Sequence, residues 1–162
     1  MVMVKMAKVK PSAIIPTKES ENSGYDIYAC FEENSLEIPA HKTVLVPTGI
    51  ASAVAPGWGF RIEERGSTGS IGMKKSAGVI DSGYRGEWFI AITNTNDIPI
   101  IITKDIEKTE KNDCVIKYPY SKAIAQAILE EIPEVYIEEI SYEELKTIPS
   151  KRKDGKIGSS NK

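Results

Sequence analysis

Short β-prone segments, repeatedly interrupted by Gly, Pro and Asn, run through most of this 162-residue sequence. Turn signals at Pro56-Gly57, Ser82-Gly83 and Asn96-Asp97 separate several of these segments. Many short strands at such spacing are typical of an all-β sandwich or jelly roll. One helical turn is predicted at residues 141–144, where a Ser and a Glu have the spacing of a capping box. The predicted strands cover residues 1–9, 25–30, 43–53, 58–63, 88–94, 98–103, 114–117, 123–129 and 135–140.

Composition indicates one domain with its own core, since 41% of the residues are hydrophobic. The formal net charge is −2, whereas a groove for a nucleic-acid polymer usually has a surplus of basic residues. No apolar run reaches membrane-spanning length, and the N-terminus lacks a signal-peptide core. We therefore expect a soluble, cytoplasmic protein that binds neither a nucleic-acid polymer nor a membrane.

The few cysteine and histidine residues argue against several kinds of site. Cys30 and Cys114 lie far apart and form no Cys-x-x-Cys motif, so neither a zinc site nor a disulfide framework is predicted. His41 is the one histidine of the sequence, which argues against a Ser-His-Asp triad and a histidine-rich metal site.

Two charged segments interrupt the β-prone pattern. Residues 104–117, "KDIEKTEKNDCVIK", are predicted to be a loop or hairpin insertion. Residues 150–162, "SKRKDGKIGSSNK", have almost nothing to bury and are predicted to be a mobile C-terminal tail. The expected organisation is therefore a single β domain over residues 1–149, followed by this tail.

The stretch "GVIDSGYRGEW" places a carboxylate directly after a short apolar run. The structural interpretation is a hairpin in which Val79 and Ile80 end one strand and Trp88 opens the next. Asp81 would start the turn by bonding its own backbone, and Gly83 would supply an unusual backbone dihedral angle. Whether Asp81 also takes part in chemistry depends on the other motifs of the chain.

Four further stretches carry polar or charged groups that could form a site together with Asp81. Asp26 lies within a β-prone segment, "SGYDIYA", and Gln126 lies in the middle of an apolar one, "KAIAQAIL". In "EERGSTG", Arg65 precedes a run of glycines and hydroxyl residues. Their backbone N–H groups and hydroxyls can donate hydrogen bonds to an anion beside the guanidinium. The tail "RKDGKIGSS" does not match a Walker loop. Each stretch alone also has a purely structural explanation, such as an ion pair, a turn or a solvated tail.

Together and in this order, these stretches resemble the homotrimeric dUTPase family, the dUTP pyrophosphatases. The resemblance runs from Ser23 to Ser160 and is most specific in "GYDIYA" and "GVIDSGYRGE". It implies an all-β, jelly-roll-like dUTPase fold (a β-clip) that assembles as a trimer, with three active sites at subunit interfaces. It also implies Mg²⁺-assisted hydrolysis of dUTP to dUMP and pyrophosphate, with the C-terminal tail closing over each site.

The resemblance implies a role for each matching residue. Asp81 would activate the water that attacks the α-phosphorus, and Tyr84 would pack under the deoxyribose and exclude a 2′-hydroxyl. Asp26 would hold Mg²⁺ mainly through water, which suits this strongly hydrated ion. The hairpin at Gly78, Val79 and Ile80 would read uracil through main-chain groups. The phosphate chain and the closing tail would involve Arg65, Gly66, Ser67, Gln126, Arg152, Ile157, Gly158, Ser159 and Ser160.

The sequence departs from the family pattern at several positions. Gly66 stands where the family usually has a serine, and Ser67 follows one residue later. The segment Ser121-Lys122-Ala123 replaces the usual Gly-Asp-Arg before Ile-Ala-Gln. Ile157 replaces the tail aromatic that stacks on uracil, which implies weaker closure over the base. The insertion at 104–117 is similar to that of some phage-encoded members.

Two other functions are compatible with this pattern. A dCTP deaminase shares the implied fold, but its catalytic glutamate would lie on the strand after the aspartate turn, where this chain has Ala91. A non-catalytic or regulatory nucleotide-binding module is the other alternative, and a regulatory protein partner is left open. The combined presence of Asp26, Asp81, Tyr84 and Gln126 favours the hydrolase.

Overall fold

The computed structural model describes residues 2–151, which contain thirteen strands and two short helices. The strands are β1 Val4–Lys8, β2 Tyr25–Ile27, β3 Ser35–Ile38, β4 Thr43–Pro47, β5 Ile50–Val54, β6 Trp58–Glu63, β7 Met73–Lys75, β8 Val79–Ile80, β9 Phe89–Asn94, β10 Ile100–Thr103, β11 Glu110–Lys111, β12 Ile116–Pro119 and β13 Ala125–Glu131. The helices are α1 Gly66–Gly69 and α2 Tyr142–Thr147. The predicted all-β class is confirmed.

The strands form four small sheets, whose orders are β1-β5, β11-β12-β10-β3, β2-β13-β6-β8 and β4-β9-β7. Every pair is antiparallel except β10 with β12. One compact unit ends at Ile132, and a second unit begins at Pro133 and contains α2. None of the helices in residues 2–151 is both long and apolar enough to cross a membrane. The division of the chain into residues 1–149 and 150–162 stays a prediction.

The core follows from the alternation of side chains along the strands. On β9 and the residue before it, Trp88, Ile90 and Ile92 share one face, and all three are at most 2% exposed. The Trp88 ring meets the Phe60 ring of β6 edge to face, with centroids 5.1 Å apart. The opposite face begins with Phe89, which is 46% exposed. This core supports the sheet that contains β6 and β13.

The strand predicted at 43–53 is in fact two strands in different sheets, β4 and β5. The break lies at Thr48-Gly49. The backbone φ angle of Gly49 is +67°, a conformation that L residues with a side chain rarely adopt. A Cβ at Gly49 would lie 2.8 Å from Cys30 Sγ, so the turn is also too tight for a side chain. The chain therefore changes sheet where the hydrophobic pattern alone indicated continuity.

The hairpin predicted for "GVIDSGYRGEW" is wrong, although its turn is present. β8 pairs with β6, whereas β9 pairs with β4 and β7, so this segment connects two sheets. The amide of Tyr84 donates to the carbonyl of Asp81 at 3.1 Å and closes the turn. Gly83 does not have positive φ, so it does not supply the unusual dihedral. The pairing follows the sheet order, in which β8 lies beside β6.

The strand predicted at 135–140 is absent, and the helix predicted after it is present. Val135, Tyr136 and Ile137 are exposed, and no strand within residues 2–151 pairs with them. A β-prone segment needs a hydrogen-bonded neighbour to become a strand. Ser141 caps α2 as expected, because its Oγ accepts the amide of Glu144 at 3.1 Å.

The segment 104–117 is anchored at its beginning and forms a short edge strand further on. Lys104 Nζ donates to the carbonyls of Phe31 and Glu32, each at 3.0 Å, and lies 4.9 Å from the Tyr120 ring centroid. β11 then pairs with β12 at the edge of its sheet. That this segment is an insertion stays a prediction. Both cysteines are free; Cys30 is buried and Cys114 is exposed.

Candidate active site

An open cleft of about 910 Å³ brings together side chains from three separate stretches of the chain. Five residues singled out from the sequence line it: Asp26, Arg65, Gly66, Ser67 and Gln126. All of them belong to the sheet β2-β13-β6-β8 or to the helical turn that follows β6. The structure thus places the predicted phosphate-binding and metal-binding groups at one site.

Strand register explains why these residues meet. Gln126 on β13 pairs with Asp26 of β2 on one side and with Glu63 of β6 on the other. Arg65 follows two residues after Glu63, where β6 ends and α1 begins. Because directly opposed residues on neighbouring strands lie within about 5 Å of each other, the register aligns three motifs across one sheet.

Arg65 and Asp26 form a two-point ion pair inside the cleft. Arg65 Nε lies 2.9 Å from Asp26 Oδ1, and Arg65 Nη2 donates to Asp26 Oδ2 at 3.2 Å. Both side chains are about one-third exposed, at 32% and 31%. The ion pair holds the Nε–Nη2 edge of the guanidinium against the Asp26 carboxylate. The other N–H donors of the guanidinium are left for an anion in the cleft.

The Gly-Ser-Thr-Gly run forms helix α1, which was not predicted from its composition. The Arg65 amide donates to Thr68 Oγ1 at 3.0 Å, and that hydroxyl donates to the Arg65 carbonyl at 3.1 Å. Thr68 is fully buried, whereas Gly66 and Ser67 are exposed in the cleft. The hydroxyl at the third helical position was the available signal, because a Thr there can cap the first turn.

The amide of Gln126 is held in one orientation by its surroundings. Gln126 Nε2 donates to the carbonyl of Glu64 at 2.7 Å, so the amide oxygen is directed away from that bond. Gly24, which was not among the predicted site residues, packs directly against this side chain. A Cβ at Gly24 would lie 2.3 Å from Gln126 Oε1 and 2.9 Å from its Cβ, closer than real contacts allow.

We expect Gly24→Ala to displace Gln126 and to raise KM for the substrate about 10-fold, which corresponds to about 1.4 kcal/mol of lost binding. Steady-state kinetics on the folded variant measures this effect. Gly69→Ala is a matched control, because its new methyl would make ordinary contacts at 3.6 and 3.8 Å. Equal KM values for Gly24→Ala and the unmodified chain would show that the position of Gln126 does not matter for binding.

Tyr118 contacts Ala123, one of the residues that line the cleft, and was also missed by the sequence interpretation. Its side chain is fully buried, and its hydroxyl donates to the carbonyl of Ala123 at 2.7 Å. Burial raises the pKa of Tyr118, while hydrogen bonding with Ser67 and the charge of Arg65 act in the opposite direction. The phenol therefore stays protonated near neutral pH, and its hydrogen bond to Ala123 links β12 to the turn before β13.

Asp81 and Tyr84 do not line this cleft. Ile80 of β8 pairs with Phe60, and the two strands are antiparallel, so Asp81 lies near the beginning of β6. Arg65 lies two residues beyond the end of β6. Asp81 thus lies beside Gly59, and the six residues from Gly59 to Arg65 span about 20 Å in an extended chain. Within one copy of residues 2–151, the carboxylate expected to activate water is therefore distant from the groups expected to bind phosphate.

The turn that carries Asp81 is braced by its own side chains. Tyr84 donates its hydroxyl to the carbonyl of Glu87 at 2.9 Å, and a Cβ at Gly86 would lie 2.6 Å from that hydroxyl. Arg85 Nη1 donates to the carbonyl of Ser82 at 2.6 Å. Asp81 itself is exposed. A braced turn with an exposed carboxylate can present that group to a ligand without rearrangement.

The remaining predicted positions concern the tail and the metal. Arg152, Ile157, Gly158, Ser159 and Ser160 lie outside the described residues. Within residues 2–151, no group of three or more His, Cys, Asp or Glu side chains is arranged to hold a metal ion. A cation at Asp26 would therefore need most of its ligands from water or from a bound anion.

Comparisons with known proteins agree with the fold. The dUTPase family model matches residues 10–107. A deoxyuridine 5'-triphosphate nucleotidohydrolase from Candida albicans is 36% identical over 154 residues, covering 94% of this chain and 84% of that protein. The Staphylococcus bacteriophage 80alpha dUTPase with dUPNHPP superposes with a TM-score of 0.77 at 18% identity, covering 99% of both chains. A mutant dUTPase from phage phi11 of S. aureus, described with a structural Mg(II) ion, has a TM-score of 0.67 at 16% identity and covers 87% of this chain and 99% of its own.

Proposed function

Since the chain belongs to the dUTPase family, we propose that it hydrolyses dUTP to dUMP and pyrophosphate, with Asp81 activating the attacking water. The observation that carries this proposal is the cleft that Asp26, Arg65, Gly66, Ser67 and Gln126 line together. A guanidinium, a hydroxyl and a side-chain amide converging on one open cleft suit a phosphate chain.

Asp81 acts as the general base in this proposal. A carboxylate can take the proton of a water that attacks the α-phosphorus, provided that the water is held in line with the leaving pyrophosphate. The P–O bond to the pyrophosphate breaks as the new P–O bond forms, and Arg65 and Gln126 stabilise the charge on the phosphate chain. Positioning and charge neutralisation supply most of the rate enhancement.

The base and the sugar are read beside Asp81. β8 is the edge strand of its sheet, so one side of its main chain has no strand partner within the described residues. Those main-chain groups of Gly78, Val79 and Ile80 are suited to hydrogen-bond the edge of uracil. The Tyr84 ring, fixed by its bond to Glu87, packs under the deoxyribose and leaves no room for a 2′-hydroxyl.

The distance between Asp81 and Arg65 supports a shared site in a homotrimer. Because about 20 Å of chain, along β6 and the two residues after it, separates Arg65 from the position of Asp81, one chain does not hold both groups at one phosphate. In the proposed assembly, the cleft of one chain meets the Asp81 turn of another, and cyclic symmetry repeats this contact three times. Arg152, Ile157 and Gly158–Ser160 of the tail would complete each site.

Mg²⁺ is the proposed cofactor, and Asp26 suits it. Mg²⁺ usually keeps several waters and binds through one or two carboxylates together with substrate phosphates, so a large cluster of acidic side chains is not required. Asp26 lines the cleft, and Arg65 contacts both of its carboxylate oxygens, so Asp26 would contact the ion through water. When bound, the ion would neutralise phosphate charge and orient the chain, while Asp26 would hold its water ligands.

Release of pyrophosphate from dUTP, dTTP, dCTP and UTP, each with Mg²⁺ and with a chelator, tests this function. We expect magnesium-dependent cleavage of dUTP alone. Ammonia release from dCTP would instead support the deaminase, which the residue Ala91 disfavours. Binding of dUTP without turnover would support a regulatory nucleotide-binding module, for which the segment 104–117 would be a candidate contact with a protein partner.

A further inference from the structure

Lys122 is a cation in the cleft to which the sequence interpretation assigned no role. It lines the same cleft as Arg65 and Ser67. Arg65 is engaged by Asp26, whereas the exposed ammonium of Lys122 makes no ion pair or hydrogen bond to any residue of the described part of the chain. A cation that lines an anion-binding cleft and has no partner there is available to a ligand.

The backbone that carries Lys122 is fixed on both sides. The amide of Lys122 donates to the carbonyl of Pro119 at 3.1 Å and closes a turn between β12 and β13. The next residue, Ala123, is buried, and its carbonyl accepts the Tyr118 hydroxyl at 2.7 Å. One residue later, the amide of Ile124 donates to the carbonyl of Ile27 at 2.8 Å. The anchored turn holds the Lys122 stem at the cleft, and its ammonium remains free to move.

The charge of the cleft depends on this residue. Two carboxylates line it, Glu21 and Asp26, and Arg65 and Lys122 balance them. Without Lys122, the lining would have one net negative charge, which would oppose the entry of a polyanion.

We propose that Lys122 binds the phosphate chain of the substrate and so offsets the missing hydroxyl at Gly66. This inference rests on the proposed function, because it requires a nucleotide triphosphate in the cleft. The ammonium donates to phosphate oxygens as a point charge on a flexible stem, whereas Arg65 acts through its planar fork. Lys122 is thus a substrate-binding residue with no part in proton transfer.

Calorimetric binding of the α,β-imido analogue of dUTP, with magnesium present, tests this role. We expect Lys122→Gln to weaken binding about 10-fold at low salt, since a charge-assisted hydrogen bond is lost. The difference should shrink as salt screens the charge, and Lys122→Arg should retain most of the affinity. Lys111→Gln is the matched control, because it removes the same charge from β11, which does not line the cleft.

The binding measurements distinguish failure of this inference from failure of the proposed function. A 10-fold loss in Lys122→Gln alone supports the inference. Tight binding by the unmodified chain with equal affinity in Lys122→Gln would overturn only the inference, as would an equal loss in Lys111→Gln. Failure of the unmodified chain to bind the analogue would overturn the proposed function and this inference with it.

Discussion

Replacing Asp81 with asparagine is expected to lower kcat for dUTP hydrolysis about 10³-fold, because it removes the general base while retaining the shape of the side chain. The turn should survive, since its closing hydrogen bond runs from the Tyr84 amide to the backbone carbonyl of residue 81. Asparagine also favours turns. KM should change much less than kcat, because Asp81 is not part of the cleft that binds the phosphates.

Steady-state pyrophosphate release, with thermal unfolding as a check on the fold, measures this effect. Asp113→Asn is a suitable control, since Asp113 is exposed in the segment 104–117 and does not line the cleft. Turnover by Asp81→Asn within a few-fold of the unmodified chain would remove Asp81 from the mechanism. A variant that loses both activity and cooperative unfolding would show that Asp81 has a structural role, which the geometry of the turn does not predict.

Mixing two inactive variants is expected to restore activity if each site is shared between chains. Asp81→Asn retains an intact cleft, and Arg65→Gln retains an intact Asp81 turn. In randomly mixed trimers, about one site in four would combine the cleft of the first variant with the turn of the second. Co-refolding equal amounts of the two chains should therefore yield about one-quarter of the unmodified activity.

The control for this experiment mixes Arg65→Gln with Gln126→Ala. Both residues line the same cleft of one chain, so no arrangement of these two variants contains a complete cleft. This mixture should stay as inactive as its parents. If the Asp81→Asn and Arg65→Gln mixture also remains inactive although mixed trimers form, then the complete site belongs to a single chain and the shared arrangement is incorrect.

The groups that line the cleft illustrate how local motifs can predict which residues lie together. Arg65 and the glycines and hydroxyls after it were recognisable as a candidate anion site, because groups that donate hydrogen bonds to anions are adjacent there in the sequence. Gly24 and Tyr118 were missed because their importance lies in contacts with residues far along the chain: Gly24 packs on Gln126, and Tyr118 meets Ser67 and Ala123. Such close contacts leave no pattern in the local sequence.

The strand predictions show the same limit. Residues 58–63 matched β6 because alternation and β propensity act within a few residues. Residues 135–140 have the same local character, yet they form no strand in the described structure, because strand formation requires a neighbour. The turn at Ser82-Gly83 was correct, whereas the pairing of β8 with β6 instead of β9 depended on the rest of the sheet.

By itself, the sequence determined the all-β class, the capping of α2 and the identity of five residues that line the cleft. These properties depend on residue type and short-range spacing. Tertiary structure decided that Asp26, Gln126 and Arg65 share one cleft and that Asp81, which follows β8 beside the beginning of β6, does not line it. Strand register sets both arrangements, and register is established by pairing between distant segments that no local pattern specifies.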